Sequence, residues 1–181
     1  MIWDTPTQAI ESASTSMNSS KLPRTAKMVQ WERGTVNADI GGGRFDNFTA
    51  FLLGKGVANF IFDPFNRSKE FNDLSVANIQ DGQADTVTVS NTLNVIKEGY
   101  IRQVVISQAA NALKEDGTAY FLIYAGDGSG VGRVSKTVGG EAKSWQENRR
   151  AGDYISEIEQ QFACVTVRGN LVSASKPTKG K

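Results

Sequence analysis

The chain of 181 residues contains no histidine. Histidine supplies the general base of Ser-His-Asp and Cys-His nucleophilic triads, and its imidazole is the commonest zinc ligand in proteins. Those catalytic triads are therefore excluded, and we predict no metal site. Any acid–base chemistry has to come from carboxylates, tyrosines, lysines or backbone groups.

Cysteines, long apolar runs and an excess of one charge are also missing. The single Cys164 excludes an internal disulfide, no segment resembles a secretory signal, and no run approaches the ~20 apolar residues that cross a bilayer. With 20 basic against 19 acidic residues, the net charge does not point to nucleic acid. We expect a soluble cytoplasmic protein without membrane contact.

The length fits one domain with a sizeable core. Residues 1–20, rich in Ser, Thr, Asn and Gln, predict a flexible N-terminal arm, and residues 177–181 predict a basic tail. Between them, residues 21–176 predict a single domain in which strands alternate with helices. That order implies an α/β fold with a mostly parallel sheet covered on both faces.

Three segments of this domain carry more specific predictions. Residues 66–83 predict a helix with a short third strand, and residues 144–162 predict a helix interrupted near Gly152. Residues 163–174 predict a closing β-hairpin, which would add an antiparallel edge to the sheet.

The most informative segment is residues 39–47, DIGGGRFDN, which ends a short apolar run. An acid, three glycines and a helix start predict a strand–turn–helix unit whose bare backbone a ligand can approach. A dinucleotide site would carry a further glycine where Asp46 stands, and no Gly-Lys-Ser/Thr follows as in a P-loop. The motif therefore argues against NAD, FAD and nucleoside triphosphates.

Two carboxylates narrow the choice of ligand. Asp39, directly before the glycines, would repel a pyrophosphate but attract a cation such as an ammonium or a sulfonium. Asp63 ends the next strand, where an acid accepts hydrogen bonds from ribose hydroxyls in nucleotide-binding sheets. Its position before Pro64 is also consistent with a simple turn. A cationic ligand with a ribose indicates S-adenosylmethionine (SAM) as the cofactor.

At these residues the chain resembles the class I SAM-dependent methyltransferases. Residues 39–43 match their first motif, residues 62–63 match the acid of their second strand, and residues 84–96 are similar to their fourth-strand motif. The resemblance covers residues 35–174. It implies a Rossmann-like three-layer α/β/α sandwich, with a mostly parallel seven-stranded sheet that ends in an antiparallel hairpin.

The resemblance also implies a role for individual residues. The glycine turn and Asp39 would hold the amino acid part of SAM, Asp63 its ribose, and Asn72 or Asp73 its adenine. Asn91 and Leu93 would line the methionine end through backbone contacts, although Asn91 also suits an ordinary turn. The implied cofactor-binding residues are Asp39, Gly41, Gly42, Gly43, Asp63, Asn72, Asp73, Asn91 and Leu93.

A glycine-rich loop at residues 126–133 follows the most apolar of the predicted strands. Glycines would let the loop close over an acceptor, although a flexible connector has the same composition. Without histidine, Asp127, Tyr124, Glu98 or a backbone carbonyl would have to accept an acceptor's proton, and we take Asp127 and Tyr124 as the candidate catalytic residues. The candidate acceptor-binding residues are Ser129, Arg133, Lys136, Trp145 and Arg149.

The predicted function is transfer of a methyl group from SAM to a nucleic acid component or a small molecule. Within the superfamily, residues 93–96 and 126–132 are similar to small phage-encoded methyltransferase-like proteins, which would act in the host cytoplasm. Residues 90–93 read SNTL, without the Asp/Asn-Pro-Pro-aromatic motif of exocyclic amino methyltransferases. The alternatives are a non-catalytic interaction or anti-defence protein that binds the cofactor, and a lyase or other transferase that uses SAM.

Overall fold

The computed structural model describes residues 2–4, 6–10, 21–136 and 138–178. Residues 11–20 of the predicted arm and 179–181 of the predicted tail lie outside these ranges. No helix within them has the length and apolar character that crossing a bilayer requires. The strands are β1 (Val36–Ile40), β2 (Ala58–Phe62), β3 (Ala84–Ser90), β4 (Leu113–Leu122), β5 (Gly132–Lys136), β6 (Ala142–Glu147), β7 (Phe162–Arg168) and β8 (Leu171–Pro177). The helices are α1 (Thr25–Met28), α2 (Asn47–Gly54), α3 (Lys69–Ile79), α4 (Gly99–Ala112) and α5 (Ile155–Ile158), with 3-10 turns at Leu93–Val95 and Ala151–Tyr154.

The main sheet has six strands in the order β2-β1-β3-β4-β8-β7. β2, β1, β3 and β4 run parallel, whereas β8 is antiparallel to both β4 and β7. This confirms the α/β class, the mostly parallel sheet and the antiparallel closing hairpin. Within the described residues the expected seventh strand is absent from this sheet, because residues 66–83 hold α3 and no strand. Ser68 begins that helix by accepting a hydrogen bond from Phe71 N at 3.2 Å.

A separate two-stranded sheet, β5 with β6, overturns part of the helix predicted for residues 144–162. Val134 pairs with Trp145, and Ser135 pairs with Ser144. The helical part is confined to the 3-10 turn at Ala151–Tyr154 and to α5. The prediction was wrong for residues 144–147 because their cross-strand partners lie about ten residues upstream, outside the local pattern that indicated a helix.

The two faces of the sheet have different chemistry. On β1, Val36, Ala38 and Ile40 join the main hydrophobic core, which the inner sides of α3, α4 and α5 complete on one face. The alternate residues Asn37 and Asp39 point to the opposite face and are buried. A smaller cluster packs α1 and α2 there, consisting of Ala26, Phe48, Leu52 and Val57 with Trp31 and Phe51 at its edge.

The described residues of the predicted N-terminal arm lie against the domain. The Trp3 indole packs edge-on against the Phe62 ring, with 5.1 Å between the ring centroids. Its Nε1 donates a hydrogen bond to Asn111 Oδ1 at 3.2 Å, near the end of α4. We call residues 2–4 and 6–10 the N-terminal strap, because they hold the chain start to α4 and β2.

Candidate functional site

Two adjoining pockets open at the carboxyl ends of β1, β2 and β3, the edge where open α/β sheets bind ligands. They share Gly41 and Ser90. The larger one, here called the apolar pocket, is lined largely by hydrophobic side chains. The smaller one, here called the Asp39 pocket, contains Asp39 and Lys21. Hydrophobic residues of the apolar pocket include Phe62, Pro64, Phe65, Ile96, Ile101 and Val105.

The glycine turn separates the two pockets and leaves no room for side chains. Gly41 has φ +74°, and a Cβ there would lie 2.4 Å from Thr92 Oγ1. A Cβ on Gly42 would lie 2.3 Å from Asp39 Oδ2. Gly43, also at positive φ, donates its N–H to Asp63 Oδ2 at 2.8 Å. The turn thus brings the backbone of Gly42 close to Asp39 and that of Gly43 close to Asp63.

Arg67 stabilises the glycine turn through two contacts. Its Nε donates to Gly43 O at 2.7 Å, and its Nη2 pairs with Asp46 at 2.8 Å. Asp46, the residue that departs from the dinucleotide pattern, therefore anchors the turn through Arg67. The sequence carried no signal for this contact, because Arg67 follows the turn by more than twenty residues.

Asp39 is a buried carboxyl with a perturbed titration. Thr88 Oγ1 donates to Asp39 Oδ1 at 2.7 Å, and Asn37 Nδ2 donates to that Thr88 oxygen at 3.0 Å. Burial raises the pKa of Asp39 from 3.8 to about 7, with nearby Asp63 adding to the rise, while Thr88 and Arg67 oppose it. A cation in the Asp39 pocket would hold the carboxylate ionised at neutral pH.

Asp63 lines the apolar pocket and also organises the turn that follows β2. Its Oδ1 accepts hydrogen bonds from Phe65 N and Asn66 N, both at 3.0 Å, and its Oδ2 accepts from Gly43 N. Asn66 Nδ2 lies 3.1 Å from both oxygens. Asp63 therefore has the turn-forming role that its position before Pro64 suggested. A ribose hydroxyl that binds Asp63 would have to share a carboxylate oxygen with Asn66 Nδ2.

Asn72 and Asp73, expected near adenine, line neither pocket. Asn72 lies behind Asp63, where its Oδ1 accepts from Asp63 N at 2.8 Å and its Nδ2 donates to Asp63 O at 3.1 Å. It therefore holds the backbone of Asp63 in place. Asp73 is exposed on α3 and pairs with Lys69 at 2.6 Å. The reason for both placements is that α3 occupies the region of the expected third strand.

The segment after β3 lines the apolar pocket with residues that sequence reasoning only partly identified. Asn91, at φ +56°, lines the pocket and donates its N–H to Leu122 O at 2.7 Å. Leu93 is instead fully buried in the main core. Thr92 and Val95 line the pocket in its place. The 3-10 turn turns Leu93 inward, which a linear motif does not reveal.

The candidate catalytic residues Tyr124 and Asp127 lie in a different depression, which shares no lining residue with the two pockets. Asp127 accepts from Ser129 N at 3.0 Å and pairs with Arg133 at 2.9 Å. Hydrogen bonds from Ser129, followed by the Arg133 charge, lower the pKa of Asp127. A carboxylate held in this way is poorly matched to a general base that works near neutral pH.

None of the candidate acceptor-binding residues lines either pocket. Trp145 Nε1 donates to Glu147 Oε2 at 3.0 Å, and Lys97 Nζ lies 5.0 Å from the Trp145 ring centroid. Arg149 pairs with Glu157 at 2.9 Å and stacks on Tyr154, so it is part of the scaffold. The other three lie on the glycine-rich loop or on β5. Ser129 Oγ accepts a hydrogen bond from Val131 N, Arg133 forms a salt bridge with Asp127, and Lys136 is exposed.

Gln8 from the strap is a pocket residue that sequence reasoning missed. It is 7% exposed and lines the apolar pocket together with Gln108 of α4. Gln8 Oε1 is buried without a hydrogen-bond partner among the described residues. No sequence signal distinguished this glutamine, because it lies in a segment of generic polar composition. Among the described residues, no group of His, Cys, Asp and Glu side chains is arranged to hold a metal ion.

Comparison with known proteins supports the fold. No family model and no curated protein matches the chain. A solved SAM-dependent methyltransferase from Methanosarcina mazei is 12% identical, with a TM-score of 0.61, and the match covers 87% of this chain and 98% of that one. Another, from Mesorhizobium loti, is 10% identical with a TM-score of 0.53, covering 86% and 96%. The chain has the class I methyltransferase fold.

Proposed function

We propose that the chain binds SAM across the two pockets and transfers its methyl group to an acceptor. The observation that carries the proposal is the junction at Gly41 and Ser90 between an apolar pocket and a pocket with a buried carboxylate. Adenine suits the apolar pocket, ribose suits Asp63, and the amino acid part suits the glycine turn beside Asp39. This order matches the chemistry of each end of the cofactor.

The pKa of Asp39 supports this orientation. Burial raises the pKa of the Asp39 carboxyl to about 7, so the ionised form lacks a favourable partner. The cofactor's ammonium would supply that counter-ion if it enters the Asp39 pocket. Lys21, which lines the same pocket and is exposed, would meet the cofactor's carboxylate. The polar chain from Asn37 through Thr88 holds Asp39 in one orientation, so little ordering is required when the ligand binds.

Methyl transfer requires little acid–base catalysis from the protein, because bound SAM supplies an electrophilic methyl group on a good leaving group. The residues of this chain would act by positioning. The glycine turn and Asp39 hold one end, the apolar pocket holds the other, and Ser90 and Thr92 border the junction. Alignment of two reactants can supply a large part of a barrier reduction.

A basic groove beside the site favours nucleic acid over a small molecule as the acceptor. Arg24, directly before α1, and Lys27 of α1 line it with Arg168 at the end of β7 and with Tyr120. The three cations are exposed, and none of them forms a salt bridge among the described residues. Phosphates and a base stacked on an aromatic ring are the groups that such a surface binds.

The N-terminal end of α1 connects the groove to the proposed cofactor site. Thr25, next to Arg24, has its Oγ1 3.1 Å from Ser90 Oγ, and Ser90 borders both pockets. A strand bound along the groove would therefore pass close to the junction. The resemblance in residues 93–96 and 126–132 adds the proposal that the role is phage-related.

Calorimetric titration with SAM and S-adenosylhomocysteine (SAH) tests the cofactor. We expect binding by the wild type and a loss of at least tenfold for Asp39→Ala. Absence of binding to either ligand would overturn the cofactor assignment. Mass spectrometry of single-stranded RNA, single-stranded DNA and small-molecule pools after incubation then tests the transfer.

The alternative functions predict different products. Methylthioadenosine or homoserine lactone without a methylated acceptor would indicate a lyase, and binding without any product would indicate a non-catalytic protein. For the groove, fluorescence anisotropy with a labelled oligonucleotide should show weaker binding by Arg24→Glu and Arg168→Glu, and a shallower salt dependence. Lys143→Glu, a charge reversal at an exposed position on β6, is the matched control. Equal weakening by all three variants would contradict a role for the groove.

A further inference from the structure

We infer that the N-terminal strap completes the adenine subsite, and that Gln8 accepts a hydrogen bond from the 6-amino group of the adenine ring. The inference rests on the proposed function, since it concerns the same cofactor. It addresses a gap left by the fold, because Asn72 and Asp73 do not reach the apolar pocket. Another residue has to recognise the adenine edge.

The strap is held over the apolar pocket at three points along α4. Gln108 Nε2 donates to Ile2 O at 3.0 Å, Trp3 Nε1 donates to Asn111 Oδ1, and Ala9 N donates to Glu98 Oε1 at 3.0 Å. The strap therefore runs from the end of α4 toward its start. Gln8 passes over the pocket beside Ile101 and Val105 of that helix.

Different walls of the apolar pocket suit the ribose and the adenine of a nucleoside. Gly43 and Asp63 lie on the wall formed by the glycine turn and the end of β2, where ribose hydroxyls would bind. The α4 wall is hydrophobic and suits the faces of a flat ring. With the ribose held at the first wall and a ring face against α4, the far edge of the ring is directed toward the strap.

Gln8 Oε1 is an acceptor available to that edge. Of the other amides that line the pocket, Asn66 Nδ2 donates to Asp63 and Gln108 Nε2 donates to Ile2 O. Gln8 is more than nine-tenths buried, and its Oε1 has no partner among the described residues. Buried polar atoms in native proteins are almost always hydrogen-bonded, so this oxygen points to a ligand donor. The adenine 6-amino group is such a donor.

The test compares two ligands, SAH and its analogue in which purine replaces adenine, which lacks only the 6-amino group. The wild type should bind SAH about tenfold more tightly than the purine analogue, and Gln8→Leu should bind both with equal affinity. Gln8→Glu keeps an acceptor and should restore the preference for SAH. Calorimetry measures all three.

Gln108→Leu is the matched control, because it removes the other glutamine amide that lines the pocket and keeps the Gln8 side chain and two of the three strap anchors. This variant should lower the affinity for both ligands to the same degree and keep the preference for SAH. A preference that persists in Gln8→Leu, or a wild type that binds both ligands equally well, would overturn the role of Gln8 while leaving the proposed function intact. A wild type that binds neither ligand would overturn both.

Discussion

The buried Asp39 carboxyl gives a prediction that links stability, pH and cofactor binding. Its pKa is raised in the folded protein from 3.8 to about 7, chiefly by burial. The native state therefore binds this proton more tightly than the unfolded chain does, and ionisation opposes folding. The protonated Asp39 therefore contributes fully to the free energy of unfolding below about pH 4. That contribution is lost as the pH rises toward 7, and above pH 7 the free energy of unfolding no longer changes through this group.

The size of the effect follows from that pKa. A rise from 3.8 to about 7 corresponds to about 4 kcal/mol at full ionisation, of which any relaxation of the site recovers a part. Asp39→Asn cannot ionise and keeps an acceptor for Thr88. We expect its free energy of unfolding to exceed that of the wild type by roughly 2 kcal/mol or more at pH 8, and the difference to shrink toward pH 5.

Urea unfolding of both proteins between pH 5 and pH 8 measures this difference. Asp46→Asn, the same chemical change on an exposed carboxylate of the same loop, should show no such gain. The stabilised Asp39→Asn variant should nevertheless lose affinity for SAH, because it cannot neutralise an ammonium. A stability difference that does not change with pH would refute the argument that burial perturbs Asp39.

Three further predictions concern the turn, the scaffold and the glycine loop. Gly41→Ala places a Cβ 2.4 Å from Thr92 Oγ1 at a positive φ, so it should abolish SAH binding and lower the free energy of unfolding by about 2 kcal/mol, whereas Gly54→Ala, with open space around it, should do neither. Glu157→Gln removes the carboxylate that pairs with both Arg102 and Arg149 in a largely buried triad and should cost about 2–3 kcal/mol in urea unfolding. Burial opposes ionisation of Glu157, but hydrogen bonds and charges from the two arginines outweigh burial and lower its pKa, so the wild-type advantage should disappear as the pH falls through that lowered value. Asp127→Asn should leave SAH affinity unchanged, since Asp127 lies outside both pockets, and a large fall in methyl transfer at unchanged affinity would reinstate it as the base.

Local sequence patterns predicted the parts of the fold that depend on local chemistry. The glycine turn was predictable because only glycine fits its positive φ angles and close contacts. The closing hairpin was predictable from its β-branched strands around Arg168 and Gly169. β6 was not, because its partner strand lies across a turn and the pairing is not encoded in the residues of β6 alone.

The candidate site shows the same division. The sequence alone identified Asp39 and Asp63, because an acid at the end of each parallel strand has to reach the same edge of the sheet. Tertiary structure decided the rest. It buried Asp39 and thereby raised its pKa, turned Leu93 into the core, placed Asn72 behind Asp63, and brought Gln8 from the start of the chain over the apolar pocket. These outcomes depend on contacts between residues distant in the chain, which no local pattern contains.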